Sequence, residues 1–358
     1  MRNLDYVIEN IENNCLIKSI CGVIVVIFGY QLTKECKALF TIKRKLNPKH
    51  IEIKTFPKSM IEKISSNKKE IPKDSKYNEI IVHFYKTIKE KLPYVNLEIY
   101  NLNIKSLKFS IVPRIKKKNS VANYNISKNK ISLLENTNHK KITHEMLHAS
   151  SELKIGNSVF GGFSQFHEDM PFRLFGDGLN EGYTTLLDCR YFDGHNYSST
   201  YEVLSIISHI LELIVGKEKM EKLYFEADLY SLIKSLQKYN SRSNIIKFIN
   251  DVDILLYCIN NTLTEKYYCK KSLQTISKFL IKTYSTKVLN LKHNGKISEK
   301  EMWNRISNLI DVLDNVVMLN SGSYKFSNVD SLYQEVSKLS HIEIEEVKLK
   351  TKRNEETM

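Results

Sequence analysis

Thr143-His144-Glu145-Met146-Leu147-His148-Ala149 decides how the chain is read. The pattern is H-E-x-x-H. On an α-helix, residues four apart share a face, so this spacing lets His144 and His148 present two imidazole nitrogens to one tetrahedral zinc ion. Glu145 then stands beside the ion, placed to take a proton from a water whose pKa the metal lowers to about 7. Met146, Leu147 and Ala149 are helix-compatible and mostly apolar, as a buried active-site helix requires. A catalytic zinc keeps three protein ligands and one open position. The sequence offers a third ligand in Gly178-Leu179-Asn180-Glu181-Gly182-Tyr183-Thr184-Thr185-Leu186-Leu187-Asp188, where Glu181 stands near the start of a predicted second helix. Between His148 and Glu181 lie 32 residues, enough for the chain to leave the first helix and return.

These two blocks, H-E-x-x-H and a downstream Asn-Glu pair opening a helix, resemble the gluzincin metallopeptidases, the group that includes thermolysin and the protease domain of anthrax lethal factor. The block Leu179 to Thr184, L-N-E-G-Y-T, is similar to one carried by gluzincin-like proteins of low-GC bacteria. The resemblance covers residues 107–235. It implies a zinc metallopeptidase acting on a peptide or protein substrate, with one Zn2+ per chain. His144, His148 and Glu181 would be the ligands and Glu145 the general base. Gluzincins of the thermolysin type place an Asp four residues after the glutamate ligand to orient a zinc histidine. Here Thr185 holds that position and Asp188 follows on the same helix face, and both stay open as acceptors. The resemblance also implies that the last sheet edge before the zinc helix pairs with extended peptide, which points to Ser120 to Leu134, a stretch that reads equally well as an ordinary structural hairpin. A transition-state donor, His or Tyr in this group, is expected among His195, Tyr197, Tyr201 and His209.

Composition narrows the alternatives. With 358 residues, 42% of them hydrophobic, the chain can bury a substantial core, and 12 Gly and 6 Pro leave it inclined to helix. The net charge of +14 invites an anionic partner. Most of its basic residues are Lys dispersed among Asn and Ile. The local clusters, Lys43-Arg44-Lys45 and Arg114-Ile115-Lys116-Lys117-Lys118, stand without interleaved aromatics or a helix-turn-helix pattern. No nucleic-acid partner is expected. The six cysteines, Cys15, Cys21, Cys36, Cys189, Cys258 and Cys269, form no C-x-x-C pair and no disulfide framework, which favours reduced thiols and a cytoplasmic setting.

In chain order, residues 1–45 hold an apolar run at 16–32 that reads as a single transmembrane helix or as a buried strand and turn. If it spans, the Lys and Arg that follow it place the large C-terminal part in the cytoplasm, associated with the membrane. Residues 46–76, with Pro48, Pro57 and Pro72, form a linker. Residues 77–235 form the zinc-binding core: a helix over Tyr77 to Lys91, then strands at Leu97 to Tyr100, Leu107 to Pro113, and the hairpin region 120–134. Gly156 to Gly178, rich in Gly and Phe, reads as a loop that lines a cleft or packs over the second helix. His167-Glu168-Asp169 within it lacks the spacing of a ligand set. Apolar periodicity predicts helices over 201–215, 217–239, 243–260, 273–284 and 298–319, the later ones forming a helical C-terminal lobe at 236–345, with a frayed tail at 346–358. The fold class is α+β: mostly helical, with a small sheet preceding the H-E-x-x-H helix. Two further readings use the same residues. One is a catalytically inactive, zinc-stabilised binding module; the other is a basic helical protein, associated with a membrane or nucleic acid, in which H-E-x-x-H is accidental.

Overall fold

The computed structural model describes residues 77–319 with short breaks, the longer of them at 116–120, 168–173, 193–200 and 261–265. The apolar run at 16–32, the linker at 46–76 and the tail at 346–358 lie outside the described residues. No helix among the described residues is long and apolar enough to cross a membrane.

The architecture is α+β and mostly helical, as the periodicity predicts. Helix α1 (Asn78–Lys91) buries Ile80, Ile81, Phe84, Thr87 and Ile88, one stripe at helical spacing. Glu79 in its first turn and Lys89 and Lys91 in its last suit the helix dipole. The segment predicted as a strand at Leu97 to Tyr100 is instead the start of helix α2 (Leu97–Lys105). The short alternating window is misleading, because the buried positions that decide the period are Tyr100 and Ile104, four apart.

Strands β1 (Lys108–Ile111), β2 (Ala122–Asn125) and β3 (Lys130–Leu133) form a sheet in the order β1-β3-β2, with β1 parallel and β2 antiparallel to β3. Ile131 and Leu133 of β3 point into the core, and the alternate residues Lys130 and Ser132 are half-buried. Strand β2 is therefore an edge, and it lies against helix α3 (His139–Ser150), which carries H-E-x-x-H.

Among its described residues, the stretch 156–178 predicted as a Gly- and Phe-rich loop is mostly sheet. Strands β4 (Glu152–Ile155), β5 (Ser158–Gly161), β6 (Ser164–His167) and β7 (Leu174–Phe175) form an antiparallel meander. Gly162 and Phe163 make a two-residue turn between β5 and β6. Gly162 takes a φ of +53°, which a Gly-X hairpin turn needs at its first position. That turn drives Phe163 fully inside, where its ring meets Tyr183 at 5.2 Å and Tyr224 at 5.7 Å. Phe163 thus packs over the second helix, α4 (Asp177–Tyr191), rather than lining an open cleft.

Beyond α4 every element among the described residues is a helix: α5 (Glu202–Val215), α6 (Lys217–Phe225), α7 (Leu229–Leu236), α8 (Arg242–Asn260), α9 (Lys266–His293) and α10 (Glu299–Leu319). The segment 217–239, read from periodicity as one helix, breaks into α6 and α7. Asp228 caps α7 by accepting the Ser231 N–H at 2.9 Å, and Ala227 turns the chain with a φ of +52°. Helix α5 is buried almost all round, so it forms the centre of this part. One hydrophobic cluster runs from Ile80 to Leu313, across the 235/236 boundary at which the sequence divides.

An ion-pair network locks α4 to α5 and α6. Arg190 forks onto Glu212 at 2.8 and 2.6 Å and reaches Glu221 at 3.2 Å. Tyr183 donates to Glu212 at 2.7 Å and Tyr191 to Glu221 at 2.6 Å. Both carboxylates are buried.

Asp251 on α8 is a less comfortable buried acid. Its Oδ2 has no hydrogen-bond partner among the described residues, and burial pushes its carboxyl up to about 6 against the pull of Lys247 and Lys271. The folded state therefore binds this proton more tightly than the unfolded chain does. Stability is lost as pH rises from the ordinary carboxylate value through about 6. Asp251→Asn is expected to stabilise the protein by about 1–3 kcal/mol at pH 8 and by almost nothing at pH 4, read from urea melts. An equal effect at both pH values would contradict this account.

Candidate metal centre

Helix α3 carries His144, Glu145 and His148, and α4 packs across it carrying Glu181. Four-residue spacing puts both imidazoles on the face turned to α4. The His144 and His148 Nε2 atoms are 3.2 Å apart, and Glu181 Oε2 lies 3.4 Å from the first and 3.6 Å from the second. Their candidate ligand atoms all lie within 4.8 Å of one another, the one such His, Cys, Asp or Glu group among the described residues.

These separations can be tested against a metal. Zinc bonds of about 2.0–2.1 Å arranged tetrahedrally place neighbouring ligand atoms about 3.3–3.4 Å apart. The observed triangle matches that edge length, and its two imidazoles and one carboxylate are a ligand set found in catalytic zinc sites. The electrostatics agree. Burial works against a charged His144, but the hydrogen bond to Glu181 and the charges of Glu145, Glu181 and Asp188 outweigh it and raise its proton affinity. A pocket that favours one positive charge on His144 favours a divalent cation in its place.

The surroundings orient these candidate ligands. His148 Nδ1 lies 3.2 Å from the Asn180 amide and 3.4 Å from Thr184 Oγ1. If Nε2 faces a metal, Nδ1 carries the proton and needs an acceptor. Thr184 Oγ1 can serve, because it gives its own proton to the Asn180 carbonyl at 2.7 Å. Behind it stands the Tyr224 hydroxyl at 2.6 Å, pushed by burial well above its ordinary range and so held as a donor. Asp188 accepts from Thr143 at 2.7 Å, tying α4 to α3 beside His144. Thr185 donates back to the Glu181 carbonyl at 2.8 Å. The side chains that reach His148 Nδ1 are therefore those of Asn180 and Thr184, and of these Thr184, the one with an acceptor to offer, is a residue that sequence reasoning missed. It lies one turn after Asn180 on the same face of α4, a polar stripe that could have been noticed. Tyr224 and its contact have no local signal.

Glu145 is half-buried, and its Oε2 accepts the backbone N–H of Tyr124 at 2.6 Å. In the β2–β3 pair the Leu134 N–H bonds the Val121 carbonyl, so alternation turns the Tyr124 N–H away from β3, towards the outer edge. The edge predicted at 120–134 and the predicted base thus meet directly. Of the donor candidates, His195 and Tyr197 lie outside the described residues. Tyr201 stacks parallel to His144, ring centroids 6.5 Å apart, whereas His209 is buried on α5. Of His167-Glu168-Asp169, only the His167 backbone falls within the described residues.

Comparison of the chain with protein families, with curated proteins and with solved structures finds no match.

Proposed function

We propose that the protein is a zinc-dependent metallopeptidase of gluzincin type. The observation that carries the reading is the His144–His148–Glu181 triangle, drawn from two helices, with His144 and Glu181 37 residues apart in sequence, and matched to a tetrahedral ion, with Glu145 next to His144 on α3 and bonded to the edge of β2. His144, His148 and Glu181 would hold the zinc. When bound, the metal supplies Lewis acidity, polarising a scissile carbonyl and making water acidic near neutral pH.

The chain's own groups do the rest. Glu145 takes a proton from the attacking water at its carboxylate and passes it to the departing amine. The outer edge of β2 recognises main chain: an extended peptide laid along it pairs with outward backbone groups of the strand other than the Tyr124 N–H, which Glu145 holds. Such pairing selects for extended polypeptide rather than for a particular side chain. Among the described donor candidates we take Tyr201, whose ring lies 6.5 Å from that of His144, as the transition-state donor.

The direct test is metal content. The purified full chain is expected to hold close to one zinc per molecule. Glu181→Ala should weaken zinc binding by about 10²–10³-fold, taking about 10–16 kcal/mol for a complete four-ligand set as roughly 3–4 kcal/mol per ligand. A folded wild-type chain that takes up no zinc when the metal is supplied would remove this reading.

A further inference from the structure

We propose that Asp253, on α8, is the positioning residue for Glu181, so that the C-terminal helices complete the metal centre; the proposal rests on the reading of His144, His148 and Glu181 as ligands.

Helix α4 opens without a cap of its own. Its N-cap position is Gly176, at a φ of +85°, with no side-chain cap hydrogen bond. The first N–H groups of a helix have no partner within it. A Ser or Asp cap could not stand there, because a Cβ on Gly176 would fall 2.1 Å from the Phe163 carbonyl oxygen. The cap comes instead from far along the chain. Asp253 Oδ2 accepts the Gly176 N–H at 2.9 Å and Oδ1 accepts the Gly178 N–H at 2.8 Å, across 77 and 75 residues.

Asp253 is 2% exposed, and burying a carboxylate is costly unless hydrogen bonds compensate it. Two backbone N–H donors at the positive end of a helix do so. A second contact fixes the same turn. A Cβ on Gly178 would come 2.5 Å from the Val252 carbonyl oxygen, so α4 meets the backbone of α8 directly and residue 178 has no room for a side chain. From the other side the Asn180 amide oxygen takes the Phe163 N–H at 3.3 Å.

Glu181 follows three residues after Gly178, in the same helical turn. Where its carboxylate meets the two histidines is set by where that turn is held. The coupling is reciprocal. A metal that draws Glu181 to His144 and His148 also steadies the Gly176 and Gly178 amides against Asp253, and loosening Asp253 weakens the metal.

The test uses the full chain. Zinc affinity of wild type, Asp253→Asn and Asp253→Ala is measured by competition with a chromogenic chelator, beside thermal unfolding of each metal-free protein. Zinc affinity is expected to fall about 10-fold for Asp253→Asn, which keeps one acceptor oxygen, and about 100-fold for Asp253→Ala, with Asp253→Asn still unfolding cooperatively. In the wild type, amide exchange at Gly176 and Gly178 is compared with and without zinc; slower exchange at both with zinc is expected, and a purely structural cap would leave it unmoved. That comparison decides alone if both variants fail to fold. Unchanged zinc affinity in folded Asp253→Asn, with Glu181→Ala still weakened, would overturn the positioning role and leave the metal centre standing. Exchange indifferent to zinc would overturn it likewise. A wild-type chain that binds no zinc would overturn both.

Discussion

Glu145→Gln is expected to keep its zinc and its fold while losing about 10³-fold in the rate of peptide hydrolysis, within the 10²–10⁴ that a positioned general base contributes. The substitution is nearly isosteric. A glutamine carbonyl can still accept the Tyr124 N–H that Glu145 Oε2 now takes at 2.6 Å, so the edge of β2 and helix α3 should stay in register. What is lost is the ability to accept and return a proton, worth about 4 kcal/mol at that rate ratio. Zinc content and turnover of an unbiased peptide mixture, measured on the same preparation, check the outcome. Full zinc with undiminished hydrolysis would remove Glu145 from the chemistry. Full zinc in both proteins with no hydrolysis in either would favour the inactive, zinc-stabilised module.

The largest stability effect is expected at Arg190. Arg190→Met should destabilise the protein by about 3–5 kcal/mol, because it leaves buried carboxylates without their cation. Glu212 and Glu221 would keep the Tyr183 and Tyr191 hydroxyls, which are too weak to hold two charges in that interior. In thermal unfolding this corresponds to a loss of roughly 10 °C for a domain of this size. Combining Arg190→Met with Glu212→Gln and Glu221→Gln is expected to recover much of the loss. A melting temperature unchanged by Arg190→Met alone would contradict this account of the network.

The parts legible in the sequence are those governed by local spacing. His144 and His148 are four residues apart, so their common face follows once the segment is helical. Glu181 was legible because an Asn-Glu pair opens a second apolar, helix-forming block at a plausible distance. The C-terminal helices follow from apolar residues every three or four positions, and α5 and α8 lie within a residue of their predicted limits. Local spacing failed where a window was too short or a turn residue decided the outcome. Leu97 to Tyr100 alternates over four residues, yet the burial of Tyr100 and Ile104 makes it helix. Gly162 folds the supposed loop into a hairpin, and Asp228 divides one periodic stretch into two helices.

By itself, then, the sequence determined the candidate ligands, the candidate base and the α+β class, since these rest on two short blocks, their separation along the chain and local periodicity. Only the tertiary structure decided what surrounds them. The Tyr124 N–H on Glu145, Thr184 and Tyr224 behind His148, and Asp253 beneath the start of α4 come from 21 to 77 residues away. The first is a backbone group, which no residue identity announces. The others are common polar residues whose partners are chosen by how helices pack, and packing between distant segments depends on the whole core rather than on local periodicity.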